Sequence, residues 1–199
     1  RHISNASAEL SASVQLRFEE LEGSVVQFTA SAVSQAISDS SYPLNASTDY
    51  TFATVPGKTS VPRLEGATAS LVASSVYYPP GVSPTDTTVS RQVNKTASTN
   101  AFFPKIWDDH PTVTIYYAGT QAGMYRVYPA IDPTSNIPNY DHRQRGWYQQ
   151  AAVASGVVYV GPYLDAFGMG WLMTLAQRIT PAAGGSTTLG VAAADIKAT

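Results

Sequence analysis

Cysteine is absent from all 199 residues of this sequence. The absence excludes disulfide bonds, thiolate metal sites and cysteine nucleophiles. Charged residues are also scarce, at 13% against about a quarter in an average domain. The net charge of -2 provides no long-range attraction to nucleic acid or to anionic lipid. We therefore predict no nucleic-acid partner, and any function has to come from local groups of residues.

The sequence also lacks an apolar run suited to crossing a membrane. The uncharged stretch 146–164, for example, is interrupted by Gln149, Gln150, Gly156 and Pro162, whereas a spanning helix needs about 20 mostly apolar residues. No signal peptide is recognisable after Arg1. We interpret the chain as a soluble piece of a longer protein.

Apolar residues recur at steps of three and four near the start of the chain. This periodicity predicts one long amphipathic helix over residues 1–40, ending near Asp39. Residues 41–199 form the second predicted unit. Within it, the segment around 79–110 is rich in Pro, Ser, Thr and Asn and is interpreted as a loop-rich surface insert. The apolar run 71–78 is compatible with a helix or a strand.

Strand signals strengthen after residue 112. The β-branched and aromatic segments 112–117 and 124–128 flank Gly119 and Gly123, which predicts a hairpin. A short helix is predicted over 147–154. Three more strands follow, with a glycine-rich hairpin turn before the last one, and their predicted ranges are 157–160, 171–179 and 187–193. This order predicts an α+β fold, in which short helices and the long N-terminal helix pack on an antiparallel sheet of about five strands.

The stretch YDHRQRGWY, residues 140–148, concentrates charged and aromatic side chains in a chain that has few charges. It is either a local packing cluster or the wall of a pocket for a small charged molecule. A guanidinium group can donate two parallel hydrogen bonds to a carboxylate. Carboxylates and a phenol can accept the three hydrogen bonds of an ammonium group. These residue types therefore favour a zwitterionic ligand.

Four blocks of sequence, taken in order, resemble the Cache family. The blocks are residues 123–129, 140–148, 161–165 and 189–196. They are most similar to the membrane-distal module of double Cache domains, which are extracellular PAS-like sensors of bacterial chemoreceptors, histidine kinases and calcium-channel alpha-two-delta subunits. The resemblance covers about the last ninety residues. It implies a PAS-like fold and a role in ligand sensing.

The resemblance to amino-acid-binding members of the family implies a site of six residues. Three of them are expected to hold the carboxylate of a free amino acid, and three its ammonium group. The first set is Tyr140, Arg145 and Trp147, and the second is Tyr163, Asp165 and Asp195. The family pattern has proline at the positions of His142 and Gly146. The subpocket for the ligand side chain is expected in the loops between residues 41 and 110.

Structural roles remain open for several of these residues. Arg145 could form a salt bridge between the short helix and the sheet, and Asp165 and Asp195 could cap a turn and a strand end. His142 is expected at the surface, and Tyr148 in the core. The run Asp108–His110 is interpreted as a solvated turn rather than a metal site.

No nucleophile with a base, no acid pair and no phosphate loop is recognisable, so we predict no enzyme activity and no cofactor. Three sequons are candidates for N-glycosylation, at Asn5, Asn45 and Asn94.

The sequence thus predicts a sensor module on the extracellular or periplasmic face of a membrane. It would bind a small zwitterion and pass the signal to a membrane-linked output outside this chain. The alternative is a structural module of an extracellular filament, an adhesion protein or a channel accessory subunit. Candidate protein contacts are a homodimer through the N-terminal helix or assembly with a membrane protein.

Overall fold

The computed structural model describes residues 23–41, 50–134, 137–165 and 167–197. It confirms the predicted α+β class, with helices packed on an antiparallel sheet. The helices are α1 (23–38), α2 (Thr87–Thr96), α3 (Phe103–Asp109) and α4 (Gly146–Val153). The strands are β1 (Lys58–Ser60), β2 (Thr68–Ser70), β3 (Ser75–Tyr77), β4 (Val113–Thr120), β5 (Tyr125–Tyr128), β6 (Val158–Leu164), β7 (Trp171–Ile179) and β8 (Gly190–Lys197).

The main sheet has six strands in the order β3-β5-β4-β8-β7-β6, and neighbouring strands are antiparallel. Strands β1 and β2 pair separately. The predicted hairpin corresponds to β4 and β5, and the turn between them contains Gly123 with φ of +108°. The predicted helix over 147–154 is α4, and the strand over 171–179 is β7. The apolar run 71–78 contains β3 rather than a helix.

The two faces of the main sheet carry different elements. Helix α1 packs its Ala30 and Val33 on a cluster that includes Ala118 and Ala192. Neighbouring residues in a strand point to opposite faces. Tyr117 and the alternate residues of β8 therefore point away from α1, into the space beside α4. The candidate site lies on that second face.

Helix α1 confirms the predicted helical region from residue 23 onward. It ends at residue 38, next to the predicted end at Asp39. The backbone N–H of Ser41 donates to the Asp39 carboxylate over 2.8 Å, which stabilises the turn after the helix. The first 22 residues of the predicted helix lie outside the described residues. No helix among the described residues combines the length and the hydropathy needed to cross a membrane. The division of the chain at residue 40 stays a prediction.

The interpretation of 79–110 as mainly loop was wrong, because this segment contains α2 and α3. The sequence signal for α2 was its N-cap residue, Asp86. Its Oδ1 accepts hydrogen bonds from the backbone N–H groups of Thr88 and Val89. Val89 and Val93, four residues apart, then bury the apolar side of α2. Tertiary burial of this stripe outweighs the low helix propensity of its threonines.

The glycosylation candidates have different outcomes. Asn94 lies within α2, not in the expected loop, and the Thr96 of its sequon is fully buried. The Thr96 hydroxyl donates to the carbonyl of Gln92 and accepts from Arg126 Nε. Asn5 and Asn45 lie outside the described residues. Modification at all three positions stays a prediction.

Candidate ligand-binding site

One cavity of about 300 Å³ lies beside α4, and all six residues predicted for the site line it. Strand β8 contributes Asp195, and β6 contributes Tyr163 together with Asp165 directly after the strand. The segment leading into α4 contributes Tyr140 and Arg145, and α4 itself contributes Trp147. The further lining residues, which the sequence did not indicate, are Tyr117, Tyr125, Gly146, Val160, Leu164 and Phe167. The predicted convergence of the charged groups is therefore found, while their roles in binding stay predictions.

Arg145 occupies the junction between a short helical turn over 142–144 and the start of α4. Its backbone is extended, with φ of -83° and ψ of 145°, and its side chain is half-buried. The guanidinium carbon lies 5.8 Å from the ring centre of Tyr140. Among the described residues, nothing forms an ion pair or a side-chain hydrogen bond with this guanidinium. The structural salt bridge considered for Arg145 is thus not observed in the described part of the chain.

Asp195 is the most deeply buried acid of the site, at 3% exposure. Its Oδ1 accepts hydrogen bonds from Tyr117 and Thr174, each over 2.6 Å. Burial raises the pKa of Asp195 to about 7, although these two hydrogen bonds act in the opposite direction. No described residue donates a hydrogen bond to Oδ2. Asp195 therefore changes charge near neutral pH, and one of its oxygens is left for a donor in the cavity.

Tyr163 is linked to Asp195 through Thr174. The hydroxyl groups of Tyr163 and Thr174 form a short hydrogen bond. Because a threonine hydroxyl has one hydrogen, and Thr174 gives it to Asp195, Tyr163 is the donor to Thr174. Burial raises the pKa of Tyr163, so this phenol is neutral. Tyr163 thus donates to Thr174, and Thr174 donates to the Asp195 carboxylate.

Asp165 has a structural role in addition to lining the cavity. Its Oδ2 accepts hydrogen bonds from the backbone N–H groups of Phe167, over 2.7 Å, and Met169, over 3.0 Å. These bonds hold the turn that follows β6. The turn-capping alternative is therefore observed for this oxygen.

Aromatic rings form much of the remaining wall. The ring of Trp147 meets Tyr117 edge-on at 4.8 Å, and Tyr140 contacts Tyr125 and Phe167, both at 5.4 Å. Burial raises the pKa of Tyr140, which keeps its hydroxyl neutral. Tyr148, the next residue after Trp147, is buried outside the cavity lining and donates to Gln121 Oε1 over 3.0 Å. This matches the expected division between a pocket residue and a core residue.

The expected surface position of His142 was wrong, because its side chain is fully buried. The ring stacks on Tyr125 at 5.2 Å, and Nε2 donates to the Thr120 carbonyl over 3.0 Å. Burial lowers the pKa of His142 to about 4. The imidazole is therefore neutral at physiological pH, and it packs against the ring of Tyr125, which lines the cavity. Gly119 makes room for it, since a Cβ there would lie 2.3 Å from His142 Cδ2.

The side-chain subpocket expected between residues 41 and 110 is not found among the described residues of that segment, and residues 42–49 lie outside the described ones. None of the described residues between 50 and 110 lines the cavity. The apolar lining comes instead from β6 and from the turn held by Asp165, namely Val160, Leu164 and Phe167. Within the described residues, no group of three histidines or acids lies close enough to hold a metal ion.

The fold and the cavity define an α+β domain with a cavity that has a guanidinium and two carboxylates in its lining. The sequence is 32% identical over 108 residues to the human voltage-dependent calcium channel subunit alpha-2/delta-4. It is 38% identical over 82 residues to the methyl-accepting chemotaxis protein PscA of Pseudomonas syringae pv. tomato. It is 36% identical over 64 residues to the VWFA and cache domain-containing protein CG16868 of Drosophila melanogaster. These relatives confirm the resemblance to the Cache family.

The matches cover 53%, 41% and 32% of this chain, and 10%, 12% and 4% of the three relatives. The chain thus matches only a small part of each of these proteins. No family model matches the sequence.

About half of the chain also resembles parts of two solved structures. The ligand-binding domain of the Pseudomonas fluorescens chemoreceptor CtaA, in complex with L-serine, matches 52% of this chain and 41% of its own, with a TM-score of 0.43 and 21% identity. The ligand-binding domain of the Pseudomonas aeruginosa chemoreceptor PctB, in complex with L-Arg, matches 50% of this chain and 40% of its own. The TM-score is 0.42 and the sequence identity is 25%.

Proposed function

We propose that this chain is the ligand-binding module of an extracellular sensor and that it binds a free amino acid. One observation carries the proposal: the guanidinium of Arg145, which has no ion-pair or hydrogen-bond partner among the described residues, and the carboxylate of Asp195 line the same cavity. An α-amino acid presents the complementary pair of charges. Two of the sequence relatives are methyl-accepting chemotaxis proteins, which supports a role in chemical sensing.

Arg145 is the group that would bind the ligand carboxylate. A guanidinium is planar and permanently charged, and it donates two parallel hydrogen bonds to a carboxylate. The neighbouring rings of Tyr140 and Trp147 are buried. They exclude water from the ion pair, and its electrostatic attraction is stronger as a result.

Asp195 would accept the ligand ammonium group through its Oδ2. An ammonium ion has three donors, and the second carboxylate in the lining, Asp165, adds negative charge on the same side. A cation beside Asp195 favours its ionised form, and binding therefore opposes the effect of burial on its pKa. We expect the carboxyl group to lose its proton when an amino acid binds.

The cavity volume fits a ligand of this size. About 300 Å³ is at the lower end of the range of roughly 300–1,000 Å³ found for small-molecule sites. Charge-assisted hydrogen bonds contribute about 1.5–3 kcal/mol each, so a few of them suffice for micromolar affinity after the cost of association.

The test is the melting temperature of the 199-residue chain with each common L-amino acid. A ligand at a hundred times its Kd stabilises the folded state by about 2.7 kcal/mol, which raises the melting temperature by roughly 5–10 °C. We expect such a shift with at least one amino acid, and its loss in Arg145→Ala. Arg143→Ala is the matched control, because Arg143 pairs with Asp141 and does not line the cavity.

The structural alternative predicts a different result. A module for assembly would show no shift with any amino acid and would self-associate in size-exclusion chromatography as its concentration rises. That pair of results would reject the sensor proposal.

A further inference from the structure

Phe167 lines both the site cavity and a second cavity of about 190 Å³. The two cavities share this residue and no other described residue. The second cavity is otherwise lined by Phe52, Ala67, Thr68, Ile131, Asp132 and Met169. Phe167 is therefore the described residue at which the proposed ligand site and an adjoining space in the same domain meet.

Two contacts fix the position of Phe167, and both are made to residues of the site. The backbone N–H of Phe167 donates to Asp165 Oδ2 over 2.7 Å, which fixes the start of the side chain. Its ring lies 5.4 Å from the ring of Tyr140, with an angle of 56° between the planes. Because Asp165 and Tyr140 also line the site cavity, the position of Phe167 is set by the site itself.

The charges of the lining leave no counterpart for a charged ligand side chain. The charged residues among the described lining are Arg145, Asp165 and Asp195. The α-carboxylate of the ligand would use Arg145 and its α-ammonium group Asp195, while Asp165 Oδ2 already accepts from two backbone N–H groups. The surfaces that remain are aromatic or aliphatic, including Val160 and Phe167. A third ligand charge buried against them would lack a partner and would cost several kcal/mol.

We propose that Phe167 determines the specificity of the site, limiting it to amino acids with uncharged side chains of small or medium size. This inference rests on the proposed function. The ring of Phe167 leaves room in the cavity of about 300 Å³ for an aliphatic side chain and occupies the space that an indole would need. Shortening Phe167 joins the two cavities, and the adjoining space then becomes available to a larger side chain.

The experiment compares L-leucine, L-tryptophan, L-lysine and L-aspartate by thermal shift and calorimetry. The wild type is expected to bind leucine at least tenfold more tightly than the other three. In Phe167→Ala, the ratio of tryptophan to leucine affinity should rise roughly tenfold. Phe167→Leu keeps an apolar wall of smaller size and should give an intermediate ratio. Phe52→Ala is the matched control, since Phe52 lines only the second cavity, and its ratio should equal that of the wild type.

The outcomes separate the two proposals. If no amino acid stabilises the wild type, the proposed function itself is wrong. If leucine binds and Phe167→Ala leaves the ratio unchanged, or if lysine or aspartate is the preferred ligand, only the role of Phe167 is overturned. Should Phe167→Ala fail to fold, as judged by circular dichroism, Phe167→Leu decides the question.

Discussion

The Tyr117 hydroxyl, on β4, donates a 2.6 Å hydrogen bond to the Asp195 carboxylate, on β8. The two strands are neighbours in the sheet, and Asp195 pairs with Ile115, two residues from Tyr117. The hydrogen bond is therefore a diagonal contact on one face of the sheet. It anchors a buried acid whose pKa of about 7 makes both stability and ligand binding depend on pH.

Replacing Asp195 with asparagine should stabilise the ligand-free chain above pH 7. The folded state keeps the Asp195 proton up to a pKa of about 7, whereas the unfolded state releases it near the ordinary value of 3.8. The wild type therefore loses stability as the pH rises through this window, by at most about 1.4 kcal/mol per pH unit. Urea unfolding at pH 5 and pH 8 measures the effect. An unchanged pH dependence in Asp195→Asn would show that this carboxyl group is not responsible.

Amino-acid binding should weaken as the pH falls below about 7. The ammonium group pairs with ionised Asp195, so affinity decreases by up to tenfold per pH unit below the pKa of this residue. The hydrogen bond from Tyr117 lowers that pKa, and Tyr117→Phe should therefore move the midpoint to higher pH. Calorimetric titration between pH 5 and pH 9 follows the midpoint. Tyr148→Phe is the control, since it removes a tyrosine hydroxyl that bonds Gln121 away from the cavity; equal midpoints in both variants would contradict the assignment.

Gly119→Ala should destabilise the chain by about 1–3 kcal/mol, the usual cost of overpacking a core. The added methyl group would lie 2.3 Å from His142 Cδ2, and the imidazole is fixed by its bond to Thr120. Displacing His142 would also disturb Tyr125 in the cavity wall. Gly156→Ala is the comparison, because nothing lies within 4 Å of the added carbon there. Chemical denaturation of both variants measures the difference, and similar losses would refute the packing argument.

Asp86→Ala should cost about 1 kcal/mol of stability, because it removes the N-cap of α2. Two backbone N–H groups, those of Thr88 and Val89, would lose their acceptor. Asp109→Ala is the matched change at the surface. It removes an exposed ion pair with Lys105, which contributes roughly 0.3–0.5 kcal/mol. Urea midpoints that rank the two variants in the reverse order would show that the cap has little effect.

The elements that the sequence predicted are those with strong local signals. The β4–β5 hairpin combines β-branched and aromatic residues with a glycine at positive φ, Gly123. Helix α2 was missed because its residues are mostly polar and its stability comes from two buried valines. A cap such as Asp86 is visible in the sequence, but whether the following stripe is buried depends on the rest of the fold.

The residues of the site also divide into those that the sequence indicated and those whose position depends on the rest of the fold. Its six residues were implied by the resemblance of four sequence blocks to the Cache family, and their roles in binding stay predictions. Arg145, for instance, has the chemistry of a carboxylate partner wherever it lies. The burial of His142 and the wall formed by Phe167 were not predicted, because each depends on a residue distant in the chain, Gly119 in one case and Tyr140 in the other.

The sequence by itself determined the strand periodicity, the absence of cysteine chemistry and the charged groups available to a ligand. Only the tertiary structure decided the pKa of Asp195, the position of Arg145 in the cavity lining and the position of Phe167 in the lining of both cavities. The physical reason is that desolvation and cavity shape depend on which atoms surround a group in space, and those atoms come from strands and turns far apart in the chain.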